Sequence, residues 1–162
     1  MGLSAAAFKV ATLTEPHERT DECYENHVRA FMLGPEFHRS LRGLEAGRCY
    51  EVGEREVTVH NSYSGHGLFR EELARVFLGV TPRSIWDNPD IYADRPFFEL
   101  IQFADNEGTI GPEAAADLAA DFAEGREQWE ADTRVRLWLK ETYAEWAAAF
   151  EAAAGGGLVM FR

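Results

Sequence analysis

The most constraining pattern in this sequence lies near its C-terminus. Over about residues 133–154, large apolar side chains recur at intervals of four, four, three and four, which is the spacing of one face of an α-helix. Three consecutive glycines at 155–157 predict the end of this helix, and LVMF at 158–161 predicts a final edge strand. The apolar face consists of Val135, Leu139, Tyr143, Trp146 and Phe150.

A second clear helix is predicted just upstream, over GPEAAADLAADFAEG at 111–125. Pro112 suits its first turn, Leu118 and Phe122 point inward, and Gly125 is typical of a helix end. Four shorter helical segments are predicted at 35–44, 68–79, 83–86 and 96–104, and the inward residues of the segment at 68–79 are Leu68, Leu73, Val76 and Phe77.

The N-terminal third of the chain mixes strand and helix signals. FKVATL at 8–13 predicts a short strand, and the next residues predict a helix over 14–34 that Thr14 caps and Gly34 ends. RCYEVGEREVTVH at 48–60 alternates apolar and polar residues on both sides of GER, which predicts a β-hairpin. The chain shows no alternating strand–helix–strand pattern, so we do not expect a doubly wound nucleotide-binding sheet.

Together these elements predict an α+β fold, mostly helical, in which about five helices pack on a small antiparallel sheet. The length suits one domain over 1–162, and 46% hydrophobic residues exclude a disordered chain. No run approaches the roughly 20 apolar residues of a membrane span, and the N-terminus lacks the basic segment of a signal peptide. We therefore expect a cytoplasmic protein with no membrane partner, and two buried free thiols at Cys23 and Cys49.

The net charge of −12 restricts the class of partner. Binding to nucleic acid needs a basic surface, so we expect no direct binding to DNA or RNA. The charge is compatible with a basic protein partner, a cationic ligand or a divalent metal. We predict no cofactor, apart from the divalent metal that one alternative below requires.

FADNEGTIG at 103–111 places Asp105 and Glu107 just before Gly108. Carboxylate oxygens are ligands for hard divalent cations, so these two acids are a candidate metal site, although their spacing is not that of an EF-hand loop. Locally the stretch resembles the signature of LAGLIDADG homing endonucleases, in which an aspartate binds the catalytic metal. It departs from that family where the sequence continues as a predicted helix, and the net charge does not suit a DNA clamp. The competing interpretation is a turn between two helices in which Asp105 caps backbone donors.

VHNSYSGHGLF at 59–69 lies between a predicted strand and a predicted helix. Backbone N–H groups at a helix start can bind an anion, so a phosphate or carboxylate is a candidate ligand. The stretch lacks the P-loop lysine, the GxGxxG spacing and the GxSxG elbow, and ordinary helix capping is the competing interpretation. The candidate ligand-binding residues are His60, Ser62, Ser64, His66 and Arg70.

Four acidic residues follow one another at intervals of four, four and three along the helix predicted at 111–125. This spacing aligns them on one side of the helix, where each pair of like charges costs a few tenths of a kcal/mol. Such a surface is typical of a solvated helix face or of a contact site for a basic partner. We call it the acidic ridge, and it consists of Glu113, Asp117, Asp121 and Glu124.

A resemblance to a known family covers much of the chain, from about Tyr63 onward. RPFFELIQFADNEGTIGPEAAADLAADFA and the closing YAEWAAAFEAAAGGGLVMF resemble an uncharacterised family of phage and bacterial proteins with a PFxELIxFxDxEGxIG core. The resemblance implies a bacterial or viral origin. It implies no activity and transfers no catalytic residue, because none is established for that family.

From these observations we predict a non-catalytic acidic protein that binds a basic protein of host or virus through the acidic ridge. The alternative is a small metal-dependent hydrolase that uses Asp105 and Glu107, with His60 or His66 nearby. The sequence leaves the oligomeric state open. It also leaves open whether the stretches at 60–70 and 103–113 meet in space.

Overall fold

The computed structural model describes residues 2–13, 26–32, 34–103 and 107–162. Its strands are β1 (Gly2–Phe8), β2 (Ala11–Leu13), β3 (His27–Arg29), β4 (Cys49–Val52), β5 (Arg55–Ser62), β6 (Gly108–Ile110) and β7 (Leu158–Phe161). Its α-helices are α1 (Tyr63–Leu73), α2 (Pro82–Asp87), α3 (Pro89–Tyr92), α4 (Phe98–Gln102), α5 (Pro112–Ala131) and α6 (Leu137–Ala153). A 3-10 helix at Pro35–Leu41 precedes them, and α1 continues into a π turn at Ala74–Leu78.

The α+β prediction is confirmed. The described ranges contain seven helical segments when the 3-10 helix is included and the π turn is counted with α1, against about five predicted. The strands form two antiparallel sheets instead of one: a four-stranded sheet in the order β5-β1-β7-β6 and a three-stranded sheet in the order β2-β4-β3.

β1 organises the four-stranded sheet, since Ala5 lies opposite Val59 of β5 on one side and opposite Phe161 of β7 on the other. The prediction that β7 is an edge strand is therefore wrong, because β6 pairs with its second side. The hairpin prediction is wrong too. Both of its strands exist, but β4 pairs with β2 and β3, whereas β5 pairs with β1. Alternation of apolar and polar residues identifies a strand without specifying its neighbour.

Each face of the four-stranded sheet covers a core. The larger core lies against the helices, and the aromatic stripe of α6 lies at its centre, where the Trp146 ring is 5.3 Å from Phe161 and 5.5 Å from Phe150. The predicted stripe is therefore buried, although α6 begins only at Leu137 and leaves Val135 in the preceding turn. The smaller core lies between the two sheets and contains Ala6, Phe8, Val28, Ala30, Leu41, Tyr50, Val52 and Leu158.

Helix α5 does not end at Gly125, as predicted, but continues to Ala131. A Cβ atom at Gly125 would lie 2.7 Å from Cε1 of Phe77 and 3.1 Å from the hydroxyl of Tyr143. Glycine at this position therefore allows other elements to pack closely against the helix, and its presence is no signal of termination.

Helix α1 begins at Tyr63, five residues before the predicted start at Leu68. The cause is a cap, since Oγ of Ser62 accepts a hydrogen bond from the N–H of Gly65 at 2.9 Å. Leu68 was expected to point inward, but its side chain is 39% exposed. The shift of the helix start brings the serine- and glycine-rich stretch into the helix.

The predictions for the N-terminal third are only partly correct. The strand predicted at 8–13 is divided between the end of β1 and β2. Residues 14–25 of the predicted helix lie outside the described residues, and the helix prediction is wrong at His27–Arg29, which form β3. There Val28 lies opposite Tyr50 of β4, a partner that the local spacing of the predicted helix does not reveal.

Cys49 is disulfide-bonded, so the prediction of a free thiol is wrong for this residue. The sequence contains one other cysteine, Cys23, which lies outside the described residues. The frequent burial of cysteine side chains says nothing about their pairing, and two cysteines far apart in sequence give no spacing signal.

Candidate functional site

Three residues of the acidic ridge line a cavity of about 360 Å³ beside α5. The 3-10 helix, the segment before α4 and α4 itself supply the other walls. Glu113, the first residue of the ridge, is exposed and does not line it. We call this the charged cavity, and its charged lining residues are Arg39, Arg42, Asp94, Arg95, Glu99, Asp117, Asp121 and Glu124.

Glu99 is the buried carboxylate of the charged cavity, with 6% of its side chain exposed. Nη2 of Arg42 lies 3.0 Å from Oε1 of Glu99 and 2.6 Å from Oδ2 of Asp117, so one guanidinium group joins α4 to the acidic ridge. Nε of Arg39 lies 3.5 Å from the same Oε1. Burial raises the pKa of Glu99, while a backbone hydrogen bond and the two guanidinium groups oppose the rise.

Asp121 is held by the residue that precedes α4. Its Oδ2 accepts a hydrogen bond from the N–H of Phe97 at 2.7 Å. Phe97 has a φ of 62°, which is uncommon for a residue other than glycine, and its ring lies 4.9 Å from Phe122. Burial is the main cause that raises the pKa of Asp121 to about 6; the neighbouring carboxylates add to the rise, and the Phe97 hydrogen bond opposes it. At Asp121 the acidic ridge is therefore not a solvated helix face.

The charged cavity has a surplus of negative charge among the described residues. Five of its lining side chains are carboxylates and three are guanidinium groups. Arg42 contacts both Glu99 and Asp117, and Arg39 donates to Asp94 at 3.2 Å. Asp121 uses one oxygen for a backbone N–H. An additional cationic group would therefore reduce the repulsion between carboxylates around the cavity.

The structure brings together only part of the predicted anion site. His60 is exposed on β5, and the hydroxyls of Ser62 and Ser64 lie 3.2 Å apart at the start of α1. Arg70 is buried, and its Nη1 donates to the carbonyl oxygen of Phe103 at 2.7 Å. Two of the five predicted residues, Ser64 and Arg70, line one cavity between α1 and α2.

His66 faces the core instead of that cavity. Its side chain is fully buried, with the ring 5.4 Å from Trp146 and 6.4 Å from Phe161. Neither ring nitrogen has a hydrogen-bond partner among the described residues. Burial, followed by the charge of Arg70, lowers the pKa of His66 to about 3. This histidine is therefore a neutral core residue at pH 7.

The hydrogen bond from Arg70 to Phe103 shows that the stretches at 60–70 and 103–113 do meet. The turn expected between two helices contains a short strand, β6, which begins at Gly108 with a φ of 143°. Asp105 lies outside the described residues, and Glu107 is exposed directly before β6. In the ranges that the structure describes, no three His, Cys, Asp or Glu side chains are grouped as metal ligands. A metal site at Asp105 and Glu107 stays a prediction.

Sequence reasoning missed Arg39, Arg42 and Glu99, which bring positive charge and a buried carboxylate to the acidic ridge. Arg42 and Glu99 are 57 positions apart, and Arg42 and Asp117 are 75 positions apart, so no local spacing relates them. One signal was available, because Glu99 is a lone charge in the apolar run FFELI. A carboxylate at such a position is buried only with a partner.

No protein-family model, curated protein or solved structure matches this chain. The resemblance to an uncharacterised phage and bacterial family therefore stays a prediction. None of the helices in the described ranges combines the length and the apolar character needed to cross a membrane.

Proposed function

We propose that this chain is a non-catalytic binding protein whose contact site is the charged cavity together with the acidic ridge. Its partner is a basic protein, which inserts a lysine or arginine side chain beside Asp121. The observation that carries the proposal is the position of Asp121. This carboxylate is half-buried among other carboxylates, and its pKa is raised to about 6.

An incoming cation stabilises this arrangement of carboxylates. In the free protein, burial and the carboxylates of Glu99, Asp117 and Glu124 oppose the charged form of Asp121. A lysine or arginine side chain within about 4–6 Å favours the charged form of a carboxylate. Binding of a cation therefore lowers the pKa of Asp121, and the same coupling makes the ionised carboxylate attract the cation.

The first experiment measures binding of a fluorescein-labelled decalysine peptide by fluorescence anisotropy. Asp121→Asn removes one charge from the charged cavity and retains an oxygen that can accept the hydrogen bond from Phe97. Glu71→Gln, an exposed position on α1, removes the same charge elsewhere. We expect Asp121→Asn to weaken binding of the peptide about 5-fold and Glu71→Gln to have little effect on it. Higher salt should weaken binding of the peptide to both variants.

The comparison of the two variants decides the outcome. Equal weakening would mean that the peptide responds to the net charge of −12 and would contradict the cavity as the contact site. Unfolding curves of both variants at pH 7.5 establish that each is folded before binding is compared.

The proposal includes the bacterial or viral setting that the resemblance implies. It also includes the cytoplasmic location predicted from the sequence. Disulfides persist mainly in oxidising compartments and on virion or cell surfaces. The disulfide of Cys49 is therefore evidence against a cytoplasmic location. Acid quenching of intact cells, alkylation and mass spectrometry test this location. A Cys49 that stays oxidised in the cell would contradict it.

A further inference from the structure

A second cavity, of about 360 Å³, lies between α1 and α2, on a different part of the molecule from the charged cavity. We call it the α1–α2 groove. The residues that matter here are Ser64, Leu68, Arg70, Thr81, Arg83 and Trp86. Its volume falls in the range of small-molecule sites, which combine apolar walls with a few polar groups.

The apolar walls of the α1–α2 groove are exposed to solvent. Leu68 on α1 is 39% exposed and Trp86 on α2 is 47% exposed. Trp86 is nevertheless fixed in place, because its indole Nε1 donates to the carbonyl oxygen of Ile101 at 3.1 Å. A rigid, half-exposed indole beside an exposed leucine offers a surface on which a flat apolar ligand can stack.

The groove has charged residues in its lining. Among the described residues that line it, the guanidinium groups of Arg70 and Arg83 stand against the single carboxylate of Glu71. The Arg70 guanidinium carbon lies 5.6 Å from the centre of the Trp86 ring, a distance at which cation and ring attract each other. Arg83 is 83% exposed at the rim, 3.5 Å from Asp87. Arg83 therefore offers an exposed guanidinium group at the rim of the groove in a chain whose net charge is −12.

Hydrogen-bond donors complete the lining. Ser64 is the second residue of α1, and its hydroxyl lies 3.2 Å from that of Ser62. Thr81 caps α2 and contributes a second hydroxyl. Hydroxyl groups and the positive end of the α1 dipole both favour an anion close to the aromatic wall.

We propose that the α1–α2 groove binds a small aromatic anion, with its ring against Trp86 and Leu68 and its phosphate or carboxylate between Arg83 and Ser64. This site is independent of the charged cavity, because it takes a ligand of opposite charge in a different part of the fold. The ring of the ligand makes the apolar contact, and its anionic group distinguishes it from uncharged aromatic molecules.

The test follows the indole N–H signals in a 15N-labelled protein. The chain has four tryptophans, of which Trp129 and Trp146 are fully buried, and the signal of Trp86 is the one that disappears in Trp86→Phe. The probes are phenyl phosphate and benzoate, with phenol and inorganic phosphate as controls. We expect a saturable shift of the Trp86 signal with at least one aromatic anion, at concentrations about 10-fold below any response to the controls.

A pair of variants tests the role of the cation at the rim. Arg83→Gln removes an exposed guanidinium group of the groove, whereas Arg95→Gln removes an exposed one at the charged cavity. We expect Arg83→Gln to weaken phenyl phosphate or benzoate about 5-fold and Arg95→Gln to leave binding unchanged. Equal binding of phenol, equal loss in both variants, or no saturable shift of the Trp86 signal would each overturn the proposal.

Discussion

The buried histidine makes the stability of this protein depend on pH in a way that one substitution should remove. His66 has no exposed surface and no hydrogen-bond partner among the described residues, and its pKa is lowered to about 3. In the unfolded chain its pKa is about 6.5. The unfolded state therefore binds a proton as the pH falls below 6.5, whereas the folded state does not until the pH approaches 3, so acid favours unfolding.

The magnitude follows from the two pKa values. Between pH 6.5 and pH 3 the free energy of unfolding falls by about 1.4 kcal/mol for each pH unit because of His66 alone. Between pH 7 and pH 4 the loss is about 3 kcal/mol. This is a large fraction of the roughly 5–15 kcal/mol by which domains are stable.

His66→Phe tests this reasoning, because phenylalanine keeps a ring beside Trp146 and Phe161 but cannot bind a proton. Urea unfolding, followed by tryptophan fluorescence at pH 7, 6, 5 and 4, gives the free energy of unfolding of both proteins. We expect the variant to gain about 3 kcal/mol relative to the wild type between pH 7 and pH 4.

The test uses the difference between the free energies of unfolding of His66→Phe and the wild type at each pH. Asp121 acts in the opposite direction, because its raised pKa makes the folded state bind a proton first as the pH falls below about 6. Subtraction removes this common contribution. A variant curve that runs parallel to that of the wild type, whatever its offset, would refute the assignment of a buried neutral histidine.

Three further predictions concern other positions. Asp121→Asn should raise the free energy of unfolding by about 1 kcal/mol at pH 7.5, because it removes a carboxylate whose charged form is disfavoured, and urea unfolding at pH 3.5 should show no such gain. Gly125→Ala should destabilise the protein by about 1–3 kcal/mol, because the added Cβ is too close to the Phe77 ring. Gly67→Ala should stabilise the protein by about 0.5–1 kcal/mol, because the space around its added Cβ is open. Equal melting temperatures of the two variants would contradict this pair of predictions. Asp132→Asn should lower the melting temperature at pH 7 and have less effect as the pH falls below 4, because hydrogen bonds from neighbouring arginines hold the Asp132 pKa well below its usual value. If Asp132→Asn lowers the melting temperature as much at pH 3 as at pH 7, the stabilising effect of those hydrogen bonds does not depend on the charge of the Asp132 carboxylate.

Local spacing was sufficient to predict the class of fold and its two longest helices. The intervals between Leu139, Tyr143, Trp146 and Phe150 identify the buried face of α6, because residues three or four positions apart lie on one side of a helix. The alternation around Val59 identifies β5 for the corresponding reason in strands. The acidic ridge was predicted in the same way, since its members belong to one helix and three of them line the same cavity.

Contacts between distant parts of the chain account for what local spacing missed. β5 pairs with β1 instead of β4, Gly125 accommodates Phe77, and Arg42 reaches Glu99 on α4. The burial of His66 also depends on α6 and β7, which lie far away in sequence. The free energy of such contacts comes from surfaces that meet only after the chain has folded. For this reason the periodicity of one segment predicts which face of the segment is buried, and tertiary packing sets which residues cover that face.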